Sequence, residues 1–341
     1  MLSKLKAWIP FMKLGNNRKK RDELLGYFRY LVFKQLYETN VFKEFKEPVP
    51  LKSVCEHLGW EYPSKYVDDL ITALVNDGVL LKSGNNYSLS PQLMLTLQEP
   101  KVENFEDFNT AYAEFVKCIP DRLQGKSCSF TGQISLFNWD SALASKMYQA
   151  NRDSAFNWAN LKDISGRTLL DVGCGPGYET ADIWTRIGKK NVAITAIEPD
   201  EGLIKIAKDE FVHNIKKFGY VSATDDADVP NIPRFSQGSV MSLEFEDNSF
   251  DMVYFSNILH WTPDPSTGIK EMVRIMKPGG IIFGTQVTLE AGNPYMDLVT
   301  RTIKETHGFF WKKDFIRWCK EAGLKNFKTC TIMNTFRGIK P

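Results

Sequence analysis

The residues with the clearest chemical content lie between positions 169 and 261. Leu169-Leu170 runs into Asp171, and Gly173, Gly175 and Gly177 then alternate with Cys174 and Pro176 ahead of Tyr178. Glycine at every second position removes Cβ from a sharp bend, so the backbone can turn tightly and approach a ligand closely. A helix starting at Tyr178 adds free N–H groups to the same bend. Further on, Ala196-Ile197-Glu198-Pro199 closes a second apolar run. A carboxylate in that place is a natural bidentate acceptor for the two hydroxyls of a ribose. The chain has four histidines, at 57, 213, 260 and 307, and only His260 follows directly on a strand pattern. A histidine near neutrality can take the proton of a hydroxyl. The chemistry suggested is a nucleoside-bearing ligand held beside a proton-handling group.

These positions require a frame of alternating strands and helices. Strand patterns fall at Thr168–Val172, Val192–Ile197, Ile232–Ser236 (weak), Phe250–Ser256 and Ile281–Gln286. Helical patterns fall at Tyr178–Ile187, Glu201–Ile215 and Gly268–Met276. Alternation of this kind predicts a doubly wound α/β fold with a parallel sheet, in which ligands bind beyond the carboxyl ends of the strands. Helices at Pro294–Thr306 and Lys313–Ala322 precede two terminal strand patterns, Asn326–Met333 and Thr335–Ile339.

The glycine spacing separates two ligand classes. Dinucleotide sites usually carry G-x-G-x-x-G, whereas this chain has G-x-G-x-G preceded by Asp171. The segment resembles the first motif of class I S-adenosylmethionine-dependent methyltransferases. Phe245–Asp251, Ser256–Trp261 and Met276–Gly280 are similar to later motifs of that family and occur in the same order. The resemblance implies a Rossmann-like, seven-stranded methyltransferase sheet. It implies S-adenosylmethionine as cofactor, with S-adenosylhomocysteine as product and no metal. The donor's ammonium-bearing tail suits Asp171. The cofactor-binding residues carried over are Asp171, Gly173, Cys174, Gly175, Gly177, Glu198, Pro199, Ser239, Val240 and Asn257. One position departs: Ser239 stands where many relatives place an acid against the adenine amino group, which shifts that contact to Ser239, backbone groups, Val240 and Met241. In the resembling O-methyltransferases a histidine in a Leu-His context is the general base, so His260 is the catalytic candidate, with Glu290 as its orienting acid. His307 is a second candidate. Trp261, Phe309, Phe310 and Trp311 are candidates to line the acceptor pocket, and packing explains each of them equally well.

The N-terminal half reads differently. Residues 1–21 combine an amphipathic pattern with Arg18, Lys19, Lys20 and Arg21. That suits a peripheral contact with an anionic membrane or a helix packed on protein. Residues 22–95 run helix, helix, helix, hairpin, with the turn at Ser83–Asn86. This winged-helix-like arrangement is similar to the dimerisation domain of small-molecule O-methyltransferases, and it predicts a homodimer. The helix that would enter a DNA groove carries Asp68, Asp69 and Asp77, so nucleic acid is not expected as a partner. Residues 96–162 read as an aromatic-rich helical connector walling a substrate pocket, and 163–341 as the catalytic domain.

Composition fits this reading. The chain has 341 residues, 43% hydrophobic and 25% charged, with net charge +2. That balance is typical of soluble domains and gives no global attraction for nucleic acid. Six cysteines without metal-site spacing read as cytoplasmic thiols. No apolar run is long enough to span a bilayer. The expected activity is methyl transfer to O or C of a small aromatic, quinone-like or isoprenoid acceptor, the catalytic half reading closest to quinone-biosynthesis enzymes. Two alternatives stay open: a catalytically silent regulator or scaffold acting through the winged helix, and a nicotinamide oxidoreductase, which the glycine spacing opposes.

Overall fold

The computed structural model describes residues 17–91, 112–128, 142–220, 229–290, 294–330 and 334–341, with side chains from residue 26 onward. Most of the basic amphipathic segment, Phe105, Phe108, Phe137 and Trp139 lie outside the described residues. The chain divides into two compact units, Asn16–Asn138 with Gly292–Phe309, and Trp139–Ala291 with Phe310–Pro341.

The first unit opens with α1 (Asn17–Glu38), which starts five positions before the pattern at Asp22. A short β1 (Val49–Pro50) leads into α2 (Leu51–Leu58), which ends on Gly59 at φ 67°. Next come α3 (Lys65–Asn76), β2 (Leu80–Ser83) and β3 (Asn86–Leu89), then α4 (Ile119–Leu123). Helix α3 buries Tyr66, Val67, Leu70, Ile71 and Leu74, the apolar side expected from its periodicity. The hairpin turns at Ser83–Asn86, and β3 pairs antiparallel with both β2 and β1.

The second unit begins with α5 (Lys146–Ala159), whose N-cap Ser145 Oγ accepts from Tyr148 N–H at 3.4 Å. Then follow β4 (Thr168–Val172), α6 (Tyr178–Ile187), β5 (Ala193–Glu198), α7 (Glu201–Asp209), α8 (Phe211–Lys217) and β6 (Arg234–Gln237). They continue as β7 (Phe250–Ser256), α9 (Pro265–Ile275) and β8 (Met276–Thr285). After an excursion containing α10 (Pro294–Thr300), α11 (Lys312–Glu321), β9 (Lys325–Cys330) and β10 (Thr335–Ile339) complete the unit. The seven strands stand in the order β6-β5-β4-β7-β8-β10-β9. The first five run parallel, and β10 lies antiparallel to β8 and β9. This is the Rossmann-like methyltransferase sheet that the motif order predicts. Strand order reverses between β4 and β7, which opens a crevice at their carboxyl ends.

Consecutive strand residues point to opposite faces, and each face has its own apolar core. Leu170, Val253, Phe255 and Ile282 pack with Ile269, Met272, Phe315 and Trp318 on one side. Leu169, Met252, Tyr254 and Phe283 pack with Ala181, Trp184, Phe211 and Ala159 on the other. The near-continuous burial of β7 follows from cover on both faces.

Three boundaries differ from the sequence reading. Helix α5 precedes residue 163 yet belongs to the second unit, because it packs on β8 and β10. The segment 292–309 belongs to the first unit. There Tyr295 Oη donates to Ala73 O at 3.1 Å and Asp77 Oδ2 at 2.8 Å, and Tyr66 Oη donates to Leu298 O at 3.1 Å. Strand β8 starts at Met276, pairs with Phe250, and resumes regular pairing at Ile281 opposite Met252, so the Pro278-Gly279-Gly280 turn is an irregularity inside a strand.

Candidate functional site

The bend after β4 is built from left-handed glycines: φ is 70° at Gly173, 54° at Gly175 and 85° at Gly177. The N–H groups of Gly173 and Cys174 both donate to Ile197 O, at 2.8 and 3.0 Å, which fastens the bend to the end of β5. The three glycines meet different surroundings. A Cβ at Gly173 would lie 2.5 Å from Ile258 Cγ2, and one at Gly177 would lie 2.8 Å from Ala207 Cβ. A Cβ at Gly175 would meet nothing within 4 Å. Gly173 and Gly177 are therefore glycine for packing, while Gly175 borders open space on the crevice.

Glu198 reaches that same point. Its Oε2 accepts from Gly175 N–H at 3.2 Å and its Oε1 from Asp200 N–H at 3.4 Å. Asp200 also caps α7, its Oδ1 accepting from Leu203 N–H at 2.8 Å. Beneath the bend, Asp171 is 2% exposed and its Oδ2 accepts from Thr180 Oγ1 at 2.7 Å. Burial pushes the carboxyl of Asp171 up to about 7, with the charges of Glu179 and Glu198 adding to the effect and the Thr180 hydrogen bond opposing it. Burial likewise pushes Glu198 up to about 7, against the hydrogen bonds from Asp200 and Gly175. Among the described residues no cation pairs with either acid. A buried cation, Arg152 on α5, is held by other acids: Nε lies 2.8 Å from Asp182 Oδ2, and Nη1 lies 3.2 Å from Glu179 Oε1. Two buried carboxyls that lack counter-charge, set beside an open glycine bend, fit a ligand that presents hydroxyls and positive charge.

The other expected cofactor contacts differ in kind. Cys174 is buried, and burial pushes its thiol well above the ordinary range, so it is no nucleophile. Pro199 is exposed and its carbonyl accepts from Gln237 Nε2 at 2.9 Å. Ser239 is half-buried, its Oγ accepting from Met241 N–H at 3.2 Å, and Val240 is buried in the apolar core. Asn257 ties the ends of β7 and β8 together. Its Nδ2 donates to Thr285 Oγ1 at 3.1 Å and its Oδ1 accepts from Val287 N–H at 2.8 Å.

His260 sits in a short turn (Leu259–Trp261) just past β7 and is 2% exposed. Burial pushes its pKa down to about 3. Its Nδ1 stands 3.2 Å from Gln286 Nε2. Glu290 does not take that place, because both of its carboxylate oxygens accept from Lys312 N–H at 3.0 Å and so cap the start of α11. The four aromatics named as pocket candidates have different surroundings. Trp261 lies beside His260, with ring centroids 5.1 Å apart. Phe310 packs against Trp318 at 5.0 Å and Phe315 at 5.8 Å in the core. Trp311 is 49% exposed. Phe309 belongs to the first unit, where its N–H donates to Asp297 Oδ1 at 2.7 Å, and His307 lies in that unit too.

Four contributors escaped the sequence reading. Thr180 has no distinguishing signal. Glu179 and Asp182 had one, since acids on a helix turned toward a sheet need an internal cation. Gln286 had one as well, standing just past a strand end as Glu198 does.

Among the described residues, no group of acids, histidines and cysteines is arranged to hold a metal, and no helix is long and apolar enough to cross a membrane. Residues 170–284 match the methyltransferase domain family. Over 142 residues the chain is 33% identical to the demethylmenaquinone methyltransferase of Lactococcus lactis subsp. lactis (strain IL1403), a match covering 42% of this chain and 49% of that protein. The chain spans about half the length of the curated relatives it matches. Two solved structures share the fold over nearly the whole chain. The CurJ carbon methyltransferase has a TM-score of 0.71 at 14% identity, covering 96% of this chain and 94% of that one. The O-methyltransferase family 2 protein from Planctomyces limnophilus DSM 3776, solved in complex with apigenin, has a TM-score of 0.52 at 17% identity, covering 94% and 95%. The glycine bend, the acid that meets it and the strand order thus coincide with the matched stretch, and residues 170–284 are a methyltransferase domain of the class I, S-adenosylmethionine-dependent type.

Proposed function

We propose that the chain transfers a methyl group from S-adenosylmethionine to carbon or oxygen of a small apolar acceptor of aromatic, quinone-like or isoprenoid character. The observation that carries this reading is the meeting of Glu198 Oε2 with Gly175 N–H, 3.2 Å apart, at the one glycine of the bend that faces open space. In this reading Glu198 accepts from the ribose hydroxyls, and the Gly173–Gly177 backbone passes close to the donor. Asp171 supplies negative charge toward its cationic tail, and Ser239 and the Met241 segment border the base. When bound, the cofactor supplies an electrophilic methyl on a good leaving group, so the protein's task is alignment of donor and acceptor. Support for the acceptor class comes from the relatives: the Lactococcus lactis enzyme is named for demethylmenaquinone, and the Planctomyces limnophilus structure holds apigenin. To the first unit we assign the pairing of two copies of the chain. Its α3 carries Asp68 and Asp69 and is followed at once by Asp77, which suits neither phosphate nor base edges.

The test is thermal melting with S-adenosylhomocysteine. The wild type is expected to melt higher with the ligand, and Glu198→Ala is expected to lose most of that shift. A wild-type curve that does not move would remove the proposal. Assay of methyl incorporation into quinol, phenol and enolisable carbonyl acceptors then resolves the acceptor.

A further inference from the structure

Two thiols meet in the first unit. Cys118 stands at the start of α4, and Cys128 lies ten residues on, where the loop after α4 comes back. Their Sγ atoms are 2.6 Å apart, within reach of a disulfide bond of about 2.05 Å. The backbone between them is set by its own turns: Gly125 N–H donates to Arg122 O at 3.0 Å, and Lys126 N–H to Asp121 O at 3.0 Å. The sulfurs therefore face each other across the mouth of a closed loop. That loop is where the late segment 292–309 docks. Cys128 N–H donates to Thr302 O at 3.0 Å and Arg122 Nε to Arg301 O at 3.1 Å. In return Lys304 N–H donates to Ser127 Oγ at 3.0 Å, and Lys304 Nζ to Gly125 O at 3.2 Å. The other four cysteines stand on separate elements: Cys55 on α2, Cys174 in the glycine bend, Cys319 on α11 and Cys330 at the end of β9.

We propose that Cys118 and Cys128 are a disulfide-forming pair, and that their bond holds the α4 loop in the shape that grips residues 301–304. The chemistry balances against a small disulfide oxidant such as oxidised glutathione. One cysteine thiolate attacks the oxidant, forms a mixed disulfide and releases one glutathione. The second cysteine thiolate attacks the protein sulfur of that mixed disulfide and releases the other. The protein gives up two electrons and two protons, and both reach the two glutathione sulfurs. Burial decides when this happens. Cys118 is 4% and Cys128 7% exposed, and the adjoining Cys118 sulfur, with burial, pushes the Cys128 thiol above its ordinary range. A covered thiol held in its protonated form reacts slowly. Exchange therefore runs while the loop is open, during folding or while residues 301–304 are undocked. Under reducing conditions the pair stays as thiols, and hydrogen bonds alone hold the dock.

The experiment uses the full chain, unfolded in guanidinium and refolded either with a mixture of reduced and oxidised glutathione or with a phosphine reductant. Each product is denatured, alkylated and cut with trypsin, which cleaves after Lys117, Arg122 and Lys126. In the glutathione-refolded protein, residues 118–122 are expected to be linked to residues 127–146, with the other four cysteines alkylated. The linked protein should melt roughly 5–10 °C above the reduced one, because the bridge restricts the unfolded chain. Its amide hydrogens at residues 118–128 and 294–309 should exchange more slowly, and Cys118→Ser should erase both differences. Alkylation at all six cysteines, or linkage through other pairs, overturns the pairing. A linked protein that melts and exchanges as the reduced one does overturns the grip on residues 301–304. Both readings come from the wild type, so they stand even if the variant does not fold.

Discussion

Gly175 and Gly177 share a motif and a left-handed backbone, yet they should answer substitution differently. An L-residue in that conformation costs about 1–2 kcal/mol. Gly175→Ala carries that cost alone, because its Cβ enters open space. We expect a modest fall in melting temperature and loss of most of the S-adenosylhomocysteine shift, since the methyl group would stand where the ligand belongs. Gly177→Ala adds a clash with Ala207, whose Cα would lie 2.9 Å away. The expected result there is a larger loss of stability in the ligand-free protein, read by denaturant melting. The two buried acids give a pH prediction. Folded pKa values near 7 exceed the unfolded values of about 4. The folded protein then binds more protons than the unfolded chain across that window, and the stability this contributes is lost as pH rises through 7. A ligand bringing positive charge and hydroxyl donors favours the ionised acids and offsets the loss. The melting shift given by S-adenosylhomocysteine should therefore be larger at about pH 8 than at about pH 6. A shift independent of pH would show that neither acid faces the ligand. At this scale Asp171, Glu198 and the glycines were legible because chain connectivity alone puts them at strand ends. Thr180 was not, since a threonine in a first helical turn looks like any other. The aromatic candidates for the acceptor pocket could not be told from core residues for a similar reason: apolar side chains report burial, not what they are buried against.

Among the elements, α5 and α6 are joined by the most consequential contact. Arg152 is 1% exposed and pairs with Glu179 and Asp182, while Arg186 Nε also reaches Asp182 Oδ1 at 2.6 Å. Removing one partner of a buried ion network leaves uncompensated charge and typically costs ~3–5 kcal/mol. Arg152→Ala should destabilise the second unit by about that amount, measured in urea. Arg152→Ala combined with Glu179→Gln and Asp182→Asn should recover much of it. Equal losses in the single and triple variants would mean that the network does not set the stability. The strands most readable in sequence, β4, β5 and β7, are covered on both faces and so appear as unbroken apolar runs. Strand β6 is the outermost of the parallel strands and reads weakly, with Arg234 and Gln237 exposed. The start of β8 hid behind Pro278-Gly279-Gly280, because turn residues in sequence do not reveal a bulge that strand pairing tolerates.

At the scale of the molecule, sequence order and spatial order part company at 292–309. The periodicity of that segment showed a helix, but nothing local could show which core it completes. The partnership depends on Tyr295 with Ala73 and Asp77, and on Tyr66 with Leu298, pairs separated by more than two hundred positions. Arg301 strengthens it, pairing with Asp69 at 2.8 Å and Asp297 at 2.7 Å. A fragment of residues 16–138 should accordingly lack a cooperative melt, and a synthetic peptide of residues 292–309 added in trans should restore one. A fragment that melts cooperatively alone would show the segment to be dispensable. The same arrangement bears on the order of events during translation. A ribosome releases the first hundred-odd residues long before it reaches Tyr295, so the earlier-made unit must wait, with Tyr66 Oη lacking Leu298 O and Asp77 lacking the Tyr295 hydroxyl, until nearly the whole polypeptide has emerged.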